Sequence, residues 1–310
     1  MKTDVLYNDD SIVRLKELPE NSVHLIASDI PYGIGVDDWD VIHDNTNSAY
    51  MGASPAQQRA GKVFARRGKP LNGWSEADRQ IPRQYYDWCM TWAGSWFSVL
   101  VPGGNAFVFA GRRLAHRCIS AMEDTGFIFK DMIAWDKVVA PYRAQHLSLI
   151  YERRQNLLAS EQWEGWRVGN LRPLFEPILW FMKPYRIGGT LADNVLQYGT
   201  GAYHEQALLD YGQGSNNIIH LQAHANDSGL HPTQKPLKLM KLLIELASVP
   251  GQVVLDPFCG SGTTLVAAMQ LNRRYVGFES NQDYYQIAND RLDREKQRQR
   301  QGKLLFAANE

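Results

Sequence analysis

The sequence predicts an α/β fold, a Rossmann-like, doubly wound and mostly parallel sheet with helices on both faces. Three observations predict it. Residues 23–28, 106–110, 253–255 and 275–278 are short, β-branched or aromatic, and end at turn residues, as strands buried on both faces do. Helical patterns lie between these segments. Two of the segments run straight into turns rich in acidic residues, proline or glycine, at the carboxyl ends where open α/β sheets hold ligands.

Taken in order, Asp10 precedes a helical pattern over residues 12–18, and the first strand ends in Ser28-Asp29-Ile30-Pro31-Tyr32. Residues 85–100 form an aromatic-rich helix that stops at Pro102-Gly103-Gly104, before the strand at 106–110. The helix over 113–125 stops at Gly126. Residues 236–248, apolar at Leu237, Met240, Leu243, Ile244 and Ala247, stop at Pro250-Gly251. The strand at 253–255, a glycine turn, a helix over 263–271 and the strand at 275–278 follow, then a charged helix over 284–302. Two stretches break this rhythm. Residues 35–81 are polar and rich in Gly, Asn and Arg, and residues 140–230 are rich in Trp, Tyr, Gly and Asn. Long irregular segments in a compact enzyme are usually lids or binding loops, or else disordered.

A chain of 310 residues that is 44% hydrophobic can bury a core without disulfides. Its three cysteines, Cys89, Cys118 and Cys259, lack metal-ligand spacing and read as free thiols of a reducing cytoplasm. The polar, acidic start is not that of a signal peptide, and no apolar run approaches the ~18–20 residues of a membrane span. Formal net charge is zero, which by its total speaks against a nucleic-acid partner. Its distribution does not. Arg59, Lys62, Arg66, Arg67, Lys69, Arg79 and Arg83 form one basic run, and Arg143, Arg153, Arg154, Arg167 and Arg172 lie among Trp163, Trp166 and Tyr142. A solvated surface is the plainer reading of both.

In Asp256-Pro257-Phe258-Cys259-Gly260-Ser261-Gly262-Thr263-Thr264, two glycines let the backbone turn tightly and approach a ligand at a helix N-terminus. Glu279 ends the next strand, roughly 20 residues on, where an acid can accept from ribose hydroxyls. A nicotinamide enzyme would place a third glycine where Leu265 stands. Asp256 just before the turn suits a ligand carrying an ammonium better than a pyrophosphate.

At the other turn, Asp29 and the carbonyl of Ile30 can accept both hydrogens of an amine. An exocyclic amine on a nucleobase is a poor nucleophile because its lone pair is delocalised into the ring. Two acceptors pull it toward tetrahedral geometry. Pro31 restricts the turn, and Tyr32 offers a flat face for an extruded base.

Asp29–Tyr32 resembles motif IV of the amino-methylating DNA methyltransferases, Asp256–Gly262 resembles their motif I, and His231-Pro232-Thr233-Gln234-Lys235-Pro236 is similar to the opening of their motif X. Motif IV before motif I is the order of the circularly permuted beta group. The resemblance implies a class I methyltransferase fold that uses S-adenosylmethionine and acts on double-stranded DNA. It divides the chain into a target-base half (1–139), a target-recognition region (140–230) and a cofactor half (231–310). It places Asp29, Ile30, Pro31 and Tyr32 at the target base. Asp256, Phe258, Gly260 and Gly262 are placed on the methionine part of the cofactor, Glu279 on its ribose, and Thr233 and Lys235 on its carboxylate. Asp10 matches an acidic position near the adenine side, although a helix N-terminal acid would look the same. An Asp at the first position goes with N6 of adenine, a Ser with N4 of cytosine. A silent DNA-binding module would keep the same fold. An RNA or protein-glutamine methyltransferase would share a similar pocket, but normally places motif I first. A homodimer and an associated restriction endonuclease stay open as partners. One departure stands out: Ile30 occupies the place of the family's first proline. The carbonyl acceptor survives, but the turn loses a rigid ring.

Overall fold

The computed structural model describes residues 1–32, 76–140, 144–222 and 234–307, with side chains from residue 79 and up to residue 301 in the helices that border undescribed segments. Its centre is an eight-stranded sheet of β1 (Val5–Tyr7), β2 (Val23–Asp29), β3 (Leu100–Phe109), β4 (Ile128–Asp136), β7 (Phe175–Met182), β8 (Ile218–His220), β9 (Val253–Asp256) and β10 (Arg274–Phe278). Two short strands, β5 (Gln145–His146) and β6 (Arg167–Val168), pair apart from it. The helices are α1 (Ser11–Arg14), α2 (Glu76–Val99), α3 (Ala115–Thr125), α4 (Leu147–Arg153), α5 (Leu157–Gln162), α6 (Leu191–Tyr198), α7 (Glu205–Asp210), α8 (Leu237–Ala247), α9 (Thr263–Gln270) and α10 (Gln282–Ala307).

The strands lie in the order β1-β10-β9-β2-β3-β7-β4-β8. All pairings are parallel except those of β7, which runs antiparallel to β3 and β4. The sheet is therefore mostly parallel, and cores lie on both faces. On one, α2 and α3 bury Tyr85, Trp92, Trp96 and Met122 over Ile26, Val108 and Leu255. On the other, α8 and α9 bury Leu239, Leu243 and Leu265 over Leu25, Phe107 and Val254. Each fully buried indole removes roughly 150–250 Å² from water, an upper estimate of about 4–6 kcal/mol.

All four expected strands are present and mutually parallel, but boundaries differ. The aromatic helix begins at Glu76, with Pro82 inside it, so the end of the stretch expected to be irregular over 35–81 is helical. Residues 35–75 of that stretch lie outside the described residues. Pro102-Gly103-Gly104 does not separate helix from strand, because β3 already starts at Leu100. Those residues are absorbed by a register shift: Val23 pairs with Leu100, but Leu25 pairs with Asn105.

Residues 140–230 are not irregular throughout. They supply β7 and β8 to the central sheet. Strand β7 is buried on both faces and carries an apolar run over Ile178–Met182, the same kind of signal as the four expected strands. Among the described residues of this stretch, the part between β4 and β7, with α4, α5 and the β5–β6 pair, adds no strand to the central sheet.

This topology positions the site. Strands β2 and β9 are neighbours, with Leu25 beside Val254 and Ile26 beside Leu255, so Asp29 and Asp256 reach the same carboxyl edge. Because β7 runs the other way, its start delivers Glu176 to that edge.

Candidate active site

The edge holds a cavity of about 280 Å³, lined by both turns expected from sequence. Asp29, Ile30, Pro31 and Tyr32 form one side, and Asp256, Phe258, Gly260 and Glu279 the other, with Asp10 at the wall.

On the glycine side the geometry is local. Gly262 has φ +77°, and a Cβ there would meet the Cβ of Ala288 at 2.9 Å, so both backbone and packing require glycine. Arg291 of α10 reaches back to the turn, donating to the hydroxyls of Ser261 and Thr263, both at 3.0 Å. Glu279 accepts from the backbone N–H groups of Gly260 and Asn281, each at 2.8 Å. Burial pushes its pKa up against those bonds. Asp256 is 2% exposed and accepts from the Ser28 hydroxyl at 2.7 Å and the Phe258 N–H at 3.2 Å. Burial raises its pKa to about 6, opposed by bonds from Thr264, Ser28 and Phe258. Phe258 packs beneath α2, its ring centroid 5.9, 6.4 and 6.3 Å from those of Trp88, Trp92 and Trp96. These indoles recur every four residues and so share one helix face.

The Asp29 side is built from distant segments. The Asp29 Oδ2 atom accepts from the Lys235 ammonium at 2.5 Å, while Oδ1 is buried with no hydrogen-bond partner among the described residues. Lys235 also contacts Glu176 Oε1 at 3.1 Å and the Tyr32 hydroxyl at 3.2 Å. Tyr32 donates to Glu176 Oε1 at 2.5 Å, and Lys137, just beyond β4, pairs with the other Glu176 oxygen. Burial pushes the Glu176 carboxyl up, but Lys235, Lys137 and the Tyr32 hydroxyl outweigh it and bring it to about 2. For Lys235, burial works against the charge, yet Asp29 and Glu176 hold the pKa above its ordinary value. Burial raises Asp29, with Lys235 opposing. The turn itself is braced by Tyr85, which donates to the Pro31 carbonyl at 2.7 Å. Gly111 packs so closely under Tyr32 that an added Cβ would stand 3.0 Å from the tyrosine Cβ.

This geometry offers an acceptor for an amine but no sulfur nucleophile. Cys259, though it lines the cavity, donates to the Phe278 carbonyl at 2.9 Å, and burial pushes its pKa well above the ordinary thiol value. The DNA methylase family, in its N6/N4 form, matches the sequence over residues 23–290, which takes in both turns. The chain belongs to this family.

Relatives of the methylase agree along nearly its whole length. It is 53% identical to the Type II methyltransferase M.HindIII of Haemophilus influenzae over 298 residues, covering 94% of this chain and 96% of the relative. M.HpaI of Haemophilus parainfluenzae is 25% identical, over 92% of this chain and 73% of its own. The fold is shared with TTHA0409 of Thermus thermophilus complexed with S-adenosyl-L-methionine, at TM-score 0.57 and 22% identity, covering 94% and 93% of the two chains. It is also shared with the cytosine-N4-specific PvuII DNA methyltransferase, at TM-score 0.60 and 16% identity, covering 94% and 86%.

Two residues expected at the cofactor carboxylate fare differently. Thr233 lies outside the described residues. Lys235 is 6% exposed and turned toward Asp29, Glu176 and Tyr32, on the Asp29 side of the cavity. Asp10 caps α1, accepting from the Ile12 N–H at 2.8 Å, and lines the cavity as well, so both of its readings are geometrically compatible. Glu176, Lys137, Tyr85 and Trp88 join the site without a motif to announce them. Glu176 has one usable signal, the apolar run of Ile178–Met182 that follows it and marks a strand.

Proposed function

We propose that this DNA methyltransferase moves a methyl group from S-adenosylmethionine to the exocyclic N6 of an adenine turned out of double-stranded DNA. The observation that carries the reading is Asp29 Oδ1, a buried acceptor without a partner among the described residues, in the wall of the cavity that also holds the glycine turn. Ser28, the neighbouring residue that could mimic a cytosine-type motif, has its hydroxyl committed to Asp256, which supports reading the motif from Asp29.

The other wall fits the cofactor. Asp256 is a buried carboxylate suited to an ammonium, Phe258 and Gly260 suit the methionine part while Gly262, packed on Ala288, shapes the turn, and Glu279 suits ribose hydroxyls. When bound, S-adenosylmethionine supplies an electrophilic methyl group on a sulfonium. Asp29 Oδ1 and the Ile30 carbonyl accept the two amine hydrogens and direct the nitrogen lone pair away from the ring. Tyr32 stacks on the base, whose extrusion costs on the order of a few kcal/mol. Asp29, its pKa raised by burial, is then placed to take the proton that the nitrogen must lose.

The segment between β4 and β7 leaves and re-enters the sheet beside Lys137 and Glu176. Its Arg153, Arg154, Arg167 and Arg172 suit phosphates, and the Trp163–Trp166 pair, 5.3 Å between centroids, presents aromatic surface. Raising salt from about 50 to 200 mM should therefore weaken DNA binding steeply. Homodimer formation, a restriction endonuclease acting at the same sites and a cytoplasmic location belong to the same reading. Among the described residues no helix is long and apolar enough to cross a membrane. The test is to expose unmethylated DNA to the enzyme and S-adenosylmethionine, digest it, and identify the modified nucleoside and its sequence context. N6-methyladenine in one recurring context supports the proposal; N4-methylcytosine overturns it.

A further inference from the structure

Asp29 has two oxygens in different circumstances. Oδ2 is fixed 2.5 Å from the Lys235 ammonium, and Oδ1 is buried without a partner among the described residues. Lys235 does not hang from Asp29 alone, since Glu176 holds the same ammonium at 3.1 Å and the Tyr32 hydroxyl at 2.5 Å. Glu176 in turn is anchored by Lys137 from the end of β4. The side chains form a chain of charges from β4 through β7 and the segment before α8 to the end of β2.

We propose that Lys235 and Glu176 are positioning residues of the base pocket: Glu176 holds Lys235 and Tyr32, Lys235 fixes Oδ2 of Asp29, and Oδ1 is thereby the atom that receives the target amine. This rests on the reading of Asp29 as the amine acceptor. A buried carboxylate free to rotate would present either oxygen, and orientation of a reacting pair is worth orders of magnitude in rate. Clamping one oxygen from behind removes that freedom. Glu176 gives the ammonium a second anion and ties it to the aromatic face on which the base rests. One side chain thus sets both the acceptor and the stacking plane.

Among the described residues, the charged and titratable groups facing Asp29 are Lys235, Glu176 and Tyr32, with Asp256 across the β2–β9 edge and Lys137 behind Glu176. Lys235 favours the ionised carboxylate and Glu176 opposes it. Opposite shifts follow for two variants. Removing the cation in Lys235→Met raises the pH below which transfer fails. Removing the neighbouring anion in Glu176→Gln lowers that pH, because the negative charge that raises the Asp29 pKa is gone while Lys235 stays in place.

The experiment measures single-turnover methyl transfer to target DNA from pH 5 to 9, with S-adenosylmethionine Kd measured separately on Lys235→Met, Lys235→Arg, Glu176→Gln and Asp29→Ala. Expected are at least tenfold slower transfer for Lys235→Met and Glu176→Gln, cofactor Kd within threefold of the parent, partial rescue by Lys235→Arg, and acid limbs displaced in opposite directions. A lysine that grips the cofactor carboxylate would instead raise Kd and leave the saturated rate intact, which overturns the proposal. Limbs displaced in the same direction, or not at all, overturn it too. Should Lys235→Met fail to fold, the downward limb of Glu176→Gln, whose side chain keeps its shape, decides alone. Asp29→Ala separates the two levels. If it still transfers methyl groups the reading of Asp29 fails, whereas an inactive Asp29→Ala beside unmoved limbs sinks only the positioning role.

Discussion

In the half of the cavity proposed for the cofactor, Glu279 accepts from the backbone N–H groups of Gly260 and Asn281, and Asp256 from the Phe258 N–H together with the side chains of Ser28 and Thr264. In the half proposed for the target base, Asp29 is held by a side chain 206 residues away, which is steadied by Glu176 on a third strand. The two halves meet the same requirement, a buried anion kept in place, by different physics. Backbone donors are fixed once the strand–turn–helix has formed and do not depend on any one side chain. A side-chain network depends on every member, since removing one partner of a buried ion pair leaves an uncompensated charge and costs about 3–5 kcal/mol.

The sharpest way to break this contrast is one substitution in each half. Asp29→Ala should slow methyl transfer by about a thousandfold, within the range for losing a positioned acceptor and base, while cofactor Kd changes little. Glu279→Ala should raise cofactor Kd by about ten- to a hundredfold, the loss of roughly 1.4–2.8 kcal/mol, with the rate at saturating cofactor largely kept. Rapid-quench transfer and equilibrium binding measure the two quantities separately. If both substitutions damage both quantities alike, the halves are not separate devices.

The same contrast explains what could be read in the sequence. Asp256, the two glycines and Glu279 lie on a strand–turn–helix–strand within 24 residues, so their spacing alone groups them at one turn on the sheet's edge. The motif around Asp29 is legible for the same reason, as a strand end followed by a turn. Glu176 and Lys137 are not, because their role arises from the antiparallel return of β7, a topological fact that no local pattern carries. Lys235 stands in a legible motif that points to the cofactor, yet its ammonium is directed by Asp29 and Glu176, and nothing in the motif names those partners. At the level of the fold, the parallel strands are legible from apolar runs closed by turns. The start of β3 is not, because Pro102-Gly103-Gly104 looks like a stop and is in fact a bulge accommodated by the sheet.

A gentler probe is pH. Burial lifts the Asp256 carboxyl to about 6, so it is largely ionised at neutral pH and protonated not far below. A cationic ammonium favours the ionised form. Cofactor Kd should therefore be nearly flat above about pH 7 and rise below about pH 6, approaching about tenfold per unit. Asp256→Asn should bind more weakly at about pH 7.5 and lose most of that dependence. An unchanged slope in Asp256→Asn would move the titration to Glu279, whose carboxyl burial also raises.

The smallest effect probes the seam. The Ser28 hydroxyl crosses from β2 to donate to Asp256 at 2.7 Å, so it stands one residue before Asp29 yet serves the Asp256 side. A donated bond favours the carboxylate, so Ser28→Ala should raise the Asp256 pKa by about one unit or less. Cofactor affinity would then begin to fall at a correspondingly higher pH and weaken a few-fold at about pH 6.5. The methyl-transfer rate at saturating cofactor should stay within about threefold, because the contact between Asp29 and Lys235 is untouched. Combining Ser28→Ala with Asp29→Ala gives the coupling between the halves as a double-mutant cycle on cofactor binding. A coupling below about 0.5 kcal/mol fits two halves that share an edge but are held separately. A larger one means that the charge on Asp29, which itself raises the Asp256 pKa, is felt by the cofactor through the Ser28 seam.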